Sequence, residues 1–142
     1  MSEVHRIRLL GPWVVAALAR AAGGALPAGT RMTMPTCWRD GGWPGFAGTA
    51  RHTRRFGLPS NVAETQSVWL TFSHIEGAAI VRLNGQPVAS RPGAGAVAVE
   101  VTCRLQTRNV LEVDVESDTD GGGLCGEIAL EIRPAQADQP SR

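Results

Sequence analysis

Cysteine and long apolar runs are scarce in this sequence, and their scarcity excludes several classes of protein. The three cysteines, Cys37, Cys103 and Cys125, are too few and too widely spaced for a disulfide framework or a zinc site. We expect free, mostly buried thiols in a reducing compartment, with one disulfide and one free thiol as the alternative. No run of about 18 uncharged apolar residues occurs, so a membrane-spanning helix is excluded.

The sequence also lacks an excess of either positive or negative charge. Lys plus Arg number 14 against 13 Asp plus Glu, and neither sign forms a long block. This balance argues against nucleic acid or a membrane surface as a partner. The three histidines are far apart and no metal, nucleotide or hydrolase motif occurs, so we expect no metal and no cofactor.

The N-terminal segment leaves its structure open. Apolar residues 9–19 follow two arginines as in a secretory leader, but Pro12 and Arg20 interrupt them, so we interpret the segment as mature sequence. We expect a cytoplasmic protein, with secretion as the alternative. Residues 14–22 are rich in Ala, and Gly23-Gly24 limits them to about two helical turns, so a short helix and an irregular strand are both admissible.

From Ser67 onward, apolar and polar residues alternate with the period of a β-strand. The expected inward-facing sets are Val68, Leu70 and Phe72; Ala79, Val81 and Leu83; Val97, Val99, Val101 and Cys103; Leu111, Val113 and Val115; and Ile128, Leu130 and Ile132. Such one-sided alternation is typical of antiparallel sheets with one solvated face, and it predicts an all-β antiparallel sandwich. Residues 1–134 would form one domain, and the polar residues 135–142 a disordered tail.

One short motif fixes a hairpin within this pattern. Asn84-Gly85 separates the apolar runs 79–83 and 86–90, and both residues accept the positive φ that a type I′ turn requires. The two runs are therefore expected to pair as antiparallel neighbours.

Several segments together resemble a known family. The motif Arg54-Arg55-Phe56-Gly57-Leu58-Pro59, the strand over 68–72 and the hairpin over 79–88 follow one another as in the N-terminal sugar-binding domain of family 2 glycoside hydrolases, and the likeness extends over residues 45–133. The resemblance implies a jelly-roll sandwich of the galactose-binding type. In that family the catalytic glutamates lie on a separate barrel, which this sequence does not reach, so the resemblance implies a module that is not an enzyme by itself.

The loop over residues 36–46 is the leading candidate for a carbohydrate site. It places Trp38, Asp40 and Trp43 among glycines and prolines. Indole rings can stack on the apolar face of a pyranose while a carboxylate accepts hydrogen bonds from its hydroxyls. The alternative is that both tryptophans plug one end of the sandwich, because loop tryptophans commonly complete a core.

A basic cluster precedes the regular strands. Its members are Arg51, His52, Arg54 and Arg55. Arg51 and Arg54 are assigned to the candidate carbohydrate site, since guanidinium groups can clamp an anionic sugar or a phosphate. The alternative is a solvated strand face in which these residues pair with acids across the sheet. The expected acids are Glu112, Asp114 and Glu116.

The acidic turn over residues 118–123 could offer oxygen ligands to calcium, but it lacks an EF-hand pattern, which favours a plain glycine turn.

The overall prediction is a non-catalytic carbohydrate-binding module. One alternative is a structural or protein-interaction domain, pairing with a partner or a second copy, in which Trp69 points away from the core. Another is an accessory domain acting with a separate catalytic chain.

Overall fold

The computed structural model describes residues 4–60 and 62–134, and these residues form a two-sheet β-structure. The strands are β1 His5–Arg8, β2 Trp13–Arg20, β3 Thr30–Met32, β4 Thr36–Cys37, β5 Gly48–Gly57, β6 Gln66–Ile75, β7 Ala78–Leu83, β8 Gln86–Arg91, β9 Gly95–Glu100, β10 Arg108–Ser117, β11 Gly123–Leu124 and β12 Ile128–Pro134. A 3₁₀ turn spans Thr102–Arg104. The tail predicted over residues 135–142 lies outside the described residues.

Two antiparallel sheets face each other. The larger sheet has the strand order β3-β2-β5-β10-β7-β8, and the smaller has the order β1-β12-β6-β9. The short strands β4 and β11 pair with each other, and β11 also bridges to Glu76, just past the end of β6. Apart from the consecutive pairs β2-β3 and β7-β8, neighbouring strands in the two sheets are distant in sequence, so the chain crosses between the sheets repeatedly. The predicted antiparallel jelly-roll sandwich is confirmed.

The alternation in the sequence sets which face of each strand is buried. Leu70, Val81, Leu111 and Val113 are fully buried between the sheets, whereas Ile80 on the opposite face is 41% exposed. The hairpin is also confirmed, because β7 pairs with β8 and the turn residues have φ of 54° at Asn84 and 84° at Gly85. These angles lie in the left-handed region that Asn and Gly tolerate best.

The N-terminal segment forms strands rather than a helix. Trp13 and Val15 of β2 are fully buried, and β2 pairs with β5 along most of its length. Tertiary pairing overrides the local helical preference of the Ala-rich segment. The stretch that was compared with a secretory leader therefore contributes side chains to the sandwich core. The described residues contain no helix long and apolar enough to cross a membrane.

Two details of the predicted strand pattern need correction. Cys103 was expected on the inner face, but the strand ends at Glu100 and the 3₁₀ turn leaves the Cys103 side chain exposed. Glu131 does point outward as expected, yet it is only 7% exposed. Arg6 and Arg133 cover its carboxylate, so this side chain is buried although it points away from the core.

Candidate carbohydrate-binding site

The loop over residues 36–46 folds its aromatic rings into the protein. Trp38 has no exposed surface, Trp43 is 5% exposed and Phe46 is 1% exposed. The ring of Phe46 meets both indoles edge-on, with centroid distances of 4.9 Å to Trp38 and 5.0 Å to Trp43. The indole N–H of Trp43 donates to the carbonyl of Ala28 at 3.3 Å. The three rings therefore pack as one aromatic cluster that closes an end of the sandwich.

This placement corrects the stacking role assigned to Trp38 and Trp43. A pyranose needs an accessible ring face, and neither indole presents one in this structure. The alternative, that both rings complete the core, describes what the structure shows. Asp40 lies in the same loop, but its side chain is exposed, whereas the two indole rings that were expected to bind the sugar with it are buried.

His52 belongs to this cluster and not to a basic surface. It is fully buried, its Nδ1–H donates to the carbonyl of Val113 at 3.0 Å, and its Nε2 accepts from the indole N–H of Trp38 at 3.2 Å. The two bonds fix one neutral tautomer. Burial lowers the pKa of His52 to about 4, although the hydrogen bond to Val113 opposes this shift.

An ion pair connects the loop over residues 36–46 to the acidic turn over residues 118–123, the candidate for calcium binding. The carboxylate of Asp120 accepts a hydrogen bond from Nε of Arg39 at 3.0 Å and from the backbone N–H of Gly45 at 2.8 Å. The hydrogen bond from Arg39 holds the pKa of Asp120 below its usual range. Through these two bonds Asp120 fastens the loop to the turn; the described residues contain no group of three or more His, Cys, Asp or Glu side chains placed to hold a metal ion.

Arg51 lies on the solvent side of the larger sheet, where an acid opposes it. Its guanidinium binds Asp114 of the neighbouring strand through two hydrogen bonds of 2.8 and 2.9 Å, and Arg82 adds a third of 3.1 Å. Burial opposes ionisation of Asp114, but the bonds from Arg51 and Arg82 outweigh it and lower the pKa of the carboxyl. Arg51 is thus occupied by its own sheet, as the strand-face interpretation expected.

Arg54 takes a different direction from Arg51. Strand parity directs it to the inner face opposite Leu111, and its Nε is buried without a hydrogen-bond partner among the described residues. The five residues of the predicted site are therefore not brought together: two are core rings, one is an exposed acid, one is ion-paired and one faces the sandwich interior.

The smaller sheet carries an ionic cluster that the sequence pattern did not indicate. Glu131 accepts hydrogen bonds from Arg6 at 2.6 Å and from Arg133 at 2.8 Å, and these bonds, that of Arg133 foremost, lower the pKa of its carboxyl. The guanidinium of Arg133 also lies 4.4 Å from the ring centroid of Trp69. Trp69 is thus engaged within the chain, which weakens its role as a docking residue for a partner.

Two of the three cysteines lie together. The Sγ atoms of Cys37 and Cys125 are 3.0 Å apart and both side chains are half-buried, whereas Cys103 is exposed. Burial, and secondarily the contact with Cys37, raises the pKa of Cys125 to about 12. All three cysteines are free thiols, as expected, but the expectation that most of them are buried is wrong; the alternative of one disulfide would join Cys37 to Cys125.

The architecture is an antiparallel jelly-roll sandwich, and several glycosidases of known structure contain a similar fold. No protein-family model and no curated protein matches the sequence. Among solved structures, the chain is similar to Bifidobacterium dentium β-glucuronidase, with a TM-score of 0.78 and 21% identity over 95% of this chain. It is also similar to Ruminococcus gnavus β-glucuronidase, with a TM-score of 0.77 and 17% identity over 92% of this chain.

A third similar structure is the family 2 β-galacturonidase from Eisenbergiella tayi, with a TM-score of 0.71 and 19% identity over 90% of this chain. The chain spans 31%, 29% and 24% of the length of these three proteins, respectively. The resemblance seen in the sequence is thereby confirmed as a shared fold with part of family 2 glycosidases.

Proposed function

We propose that this chain is a non-catalytic carbohydrate-binding module of the glycoside-hydrolase type. The observation that carries the proposal is the match of nearly the whole chain to less than a third of a β-glucuronidase at a TM-score of 0.78. A fold that forms one part of such enzymes is suited to hold or present a glycan while chemistry takes place elsewhere.

The state of the carboxylates supports a role without catalysis. Glycoside hydrolysis uses one carboxylic acid with a raised pKa beside a second carboxylate, at a separation of about 5 to 10 Å. In Asp114, Asp120 and Glu131, arginine partners lower the pKa instead and keep the groups ionised. None of these three acids is prepared to donate a proton to a leaving group at neutral pH.

The burial of the aromatic rings moves the expected binding surface. With Trp38 and Trp43 in the core, we place glycan recognition on polar groups of the sheet faces or the strand ends. Recognition by hydrogen bonds and charge without ring stacking gives modest affinity and a strong dependence on salt when the ligand is ionic.

A titration with a set of neutral and acidic oligosaccharides tests this function. We expect saturable chemical-shift changes of backbone amides with at least one class of glycan. In parallel, nitrophenyl glucuronide and galactoside substrates should release no nitrophenol above the buffer rate. Absence of binding to every glycan would overturn the proposal, and so would hydrolysis by the isolated chain.

A further inference from the structure

Two arginines share a groove at one end of the larger sheet. Arg55 near the end of β5 is opposite Val110, and Arg108 at the start of β10 is opposite Gly57. In an antiparallel ladder these four residues lie on the same face, which here is the solvent face that also carries Arg51. We call this site the arginine groove, and its volume is about 380 Å³.

The arginines of the groove differ from Arg51 in having no acid opposite them. Along the same pair of strands, Arg51 faces Asp114 and is neutralised by it. Neither Arg55 nor Arg108 makes an ion pair with another described residue. Two cations on adjacent strands that lack a carboxylate leave a local positive potential at this end of the sheet.

Further arginines strengthen that potential. Arg104 is on the 3₁₀ turn at this end, where its carbonyl accepts a hydrogen bond from the Asn84 side chain at 3.3 Å, and its own side chain is exposed. Arg54 lies beneath, with a buried Nε that has no acceptor among the described residues. The overall balance of charge in the chain therefore conceals a concentration of positive charge at one end.

The floor of the groove is held in place by two buried or half-buried amides. The Asn109 side chain is 1% exposed; its Oδ1 accepts hydrogen bonds from Asn84 Nδ2 at 3.0 Å and from the backbone N–H of Gln106 at 2.8 Å. The Oδ1 of Asn84 accepts from the backbone N–H of Val110 at 2.8 Å. These bonds connect the hairpin turn to the start of β10, so the backbone between the arginines is preorganised.

Gly57 leaves the groove open. A Cβ at this position would meet only the carbonyl oxygen of Thr107, at 3.9 Å, so the space opposite Arg108 is free for a ligand atom. By contrast, the groove on the smaller sheet is lined by Arg6, Glu127 and Glu131, and both acids form ion pairs with Arg6. The arginine groove instead combines open space with two arginines that form no ion pair with the described residues.

We propose that Arg55 and Arg108 bind the carboxylate of an acidic sugar, a uronic acid, at the arginine groove. This inference rests on the proposed function, which supplies the carbohydrate; the arginines supply the preference for a carboxylate. Guanidinium groups form paired, charge-assisted hydrogen bonds with carboxylates, and two of them can hold both oxygens of one group. The sugar ring then lies along the face over Val110 and Gly57.

The test is an NMR titration of the full chain with a trimer of galacturonic acid, a neutral galactose trimer and inorganic phosphate. The variants are Arg55→Gln with Arg108→Gln, and Gly57→Leu, which fills the groove without changing charge. Arg31→Gln is the matched control, because Arg31 is exposed on the same sheet and has no ion pair among the described residues.

We expect the galacturonate trimer to shift the amides of Gly57 and Asn109, and the double variant to weaken its binding by about tenfold or more. Gly57→Leu should also weaken it, whereas Arg31→Gln should not. Unchanged galacturonate binding in the double variant would overturn the site. Equal binding of phosphate would show a general anion site and overturn the sugar assignment. Binding of the neutral trimer alone would overturn the inference but preserve the proposed function, whereas no glycan binding at all would remove both.

Discussion

Acidification should destabilise this protein through His52, a fully buried residue. His52 is fully buried and neutral, held between the carbonyl of Val113 and the indole N–H of Trp38. Its pKa is lowered from 6.5 to about 4 by burial, so the unfolded chain takes up the proton before the folded one as pH falls. Stability is therefore complete above pH 6.5 and decreases between pH 6.5 and about 4.

The size of this effect follows from the two pKa values. At roughly 1.4 kcal/mol per pKa unit, the difference between 6.5 and about 4 corresponds to about 3 kcal/mol of lost folding free energy. That is a large part of the roughly 5 to 15 kcal/mol that stabilises an ordinary domain. The lowered pKa values of Asp114 and Glu131 act in the same direction, and their contributions are lost as the pH falls from the range of an ordinary carboxyl toward their own lower values.

Urea unfolding followed by tryptophan fluorescence at several pH values between 7 and about 4.5 measures the effect. The wild-type free energy of unfolding should decrease across this range, and in His52→Gln, which does not titrate, most of the decrease should disappear. His5→Gln, at an exposed histidine, should retain it. A wild-type free energy that is constant between pH 7 and about 4.5 would refute the reasoning.

Three further predictions concern stability. Trp38→Phe leaves Nε2 of His52 without a donor and should lower the free energy of unfolding by about 1 to 3 kcal/mol in urea melts, with glycan binding by the folded protein unchanged. Asp114→Asn weakens the ionic cluster on the larger sheet and should cost about 1 kcal/mol in the same melts, less at high salt. An oxidant such as oxidised glutathione should form a disulfide between Cys37 and Cys125, which are 88 residues apart, and raise the free energy of unfolding by up to about 4 kcal/mol. Peptide mapping should detect the disulfide and urea melts the gain in stability. In Cys37→Ser the same oxidant should produce neither change.

The larger part of the fold could be predicted because each of its strands has one apolar face that is buried in the core. The alternation through Leu111, Val113 and Val115 requires a strand with one buried side, and Asn84-Gly85 requires a turn. The same rule was available for β5, where His52 alternates with Arg51. Parity directs the two residues to opposite faces, so the basic cluster could have been divided from sequence alone.

The candidate site was less predictable because loop residues carry no periodic signal. Trp38 and Trp43 among glycines and prolines have the same composition whether they line a sugar site or close a core. The choice depends on which strands the loop covers, and that is set by pairings far away in sequence. Likewise, nothing in the local sequence marks the strand end that exposes Cys103.

We propose that this sandwich binds carbohydrate and leaves bond cleavage to other proteins or domains. The most direct measurement is an isothermal titration of the folded chain with acidic and neutral oligosaccharides, followed by chromatography of the same samples for hydrolysis products. We expect saturable binding, with every oligosaccharide recovered intact. Flat titrations for all ligands, or shortened oligosaccharides, would contradict it.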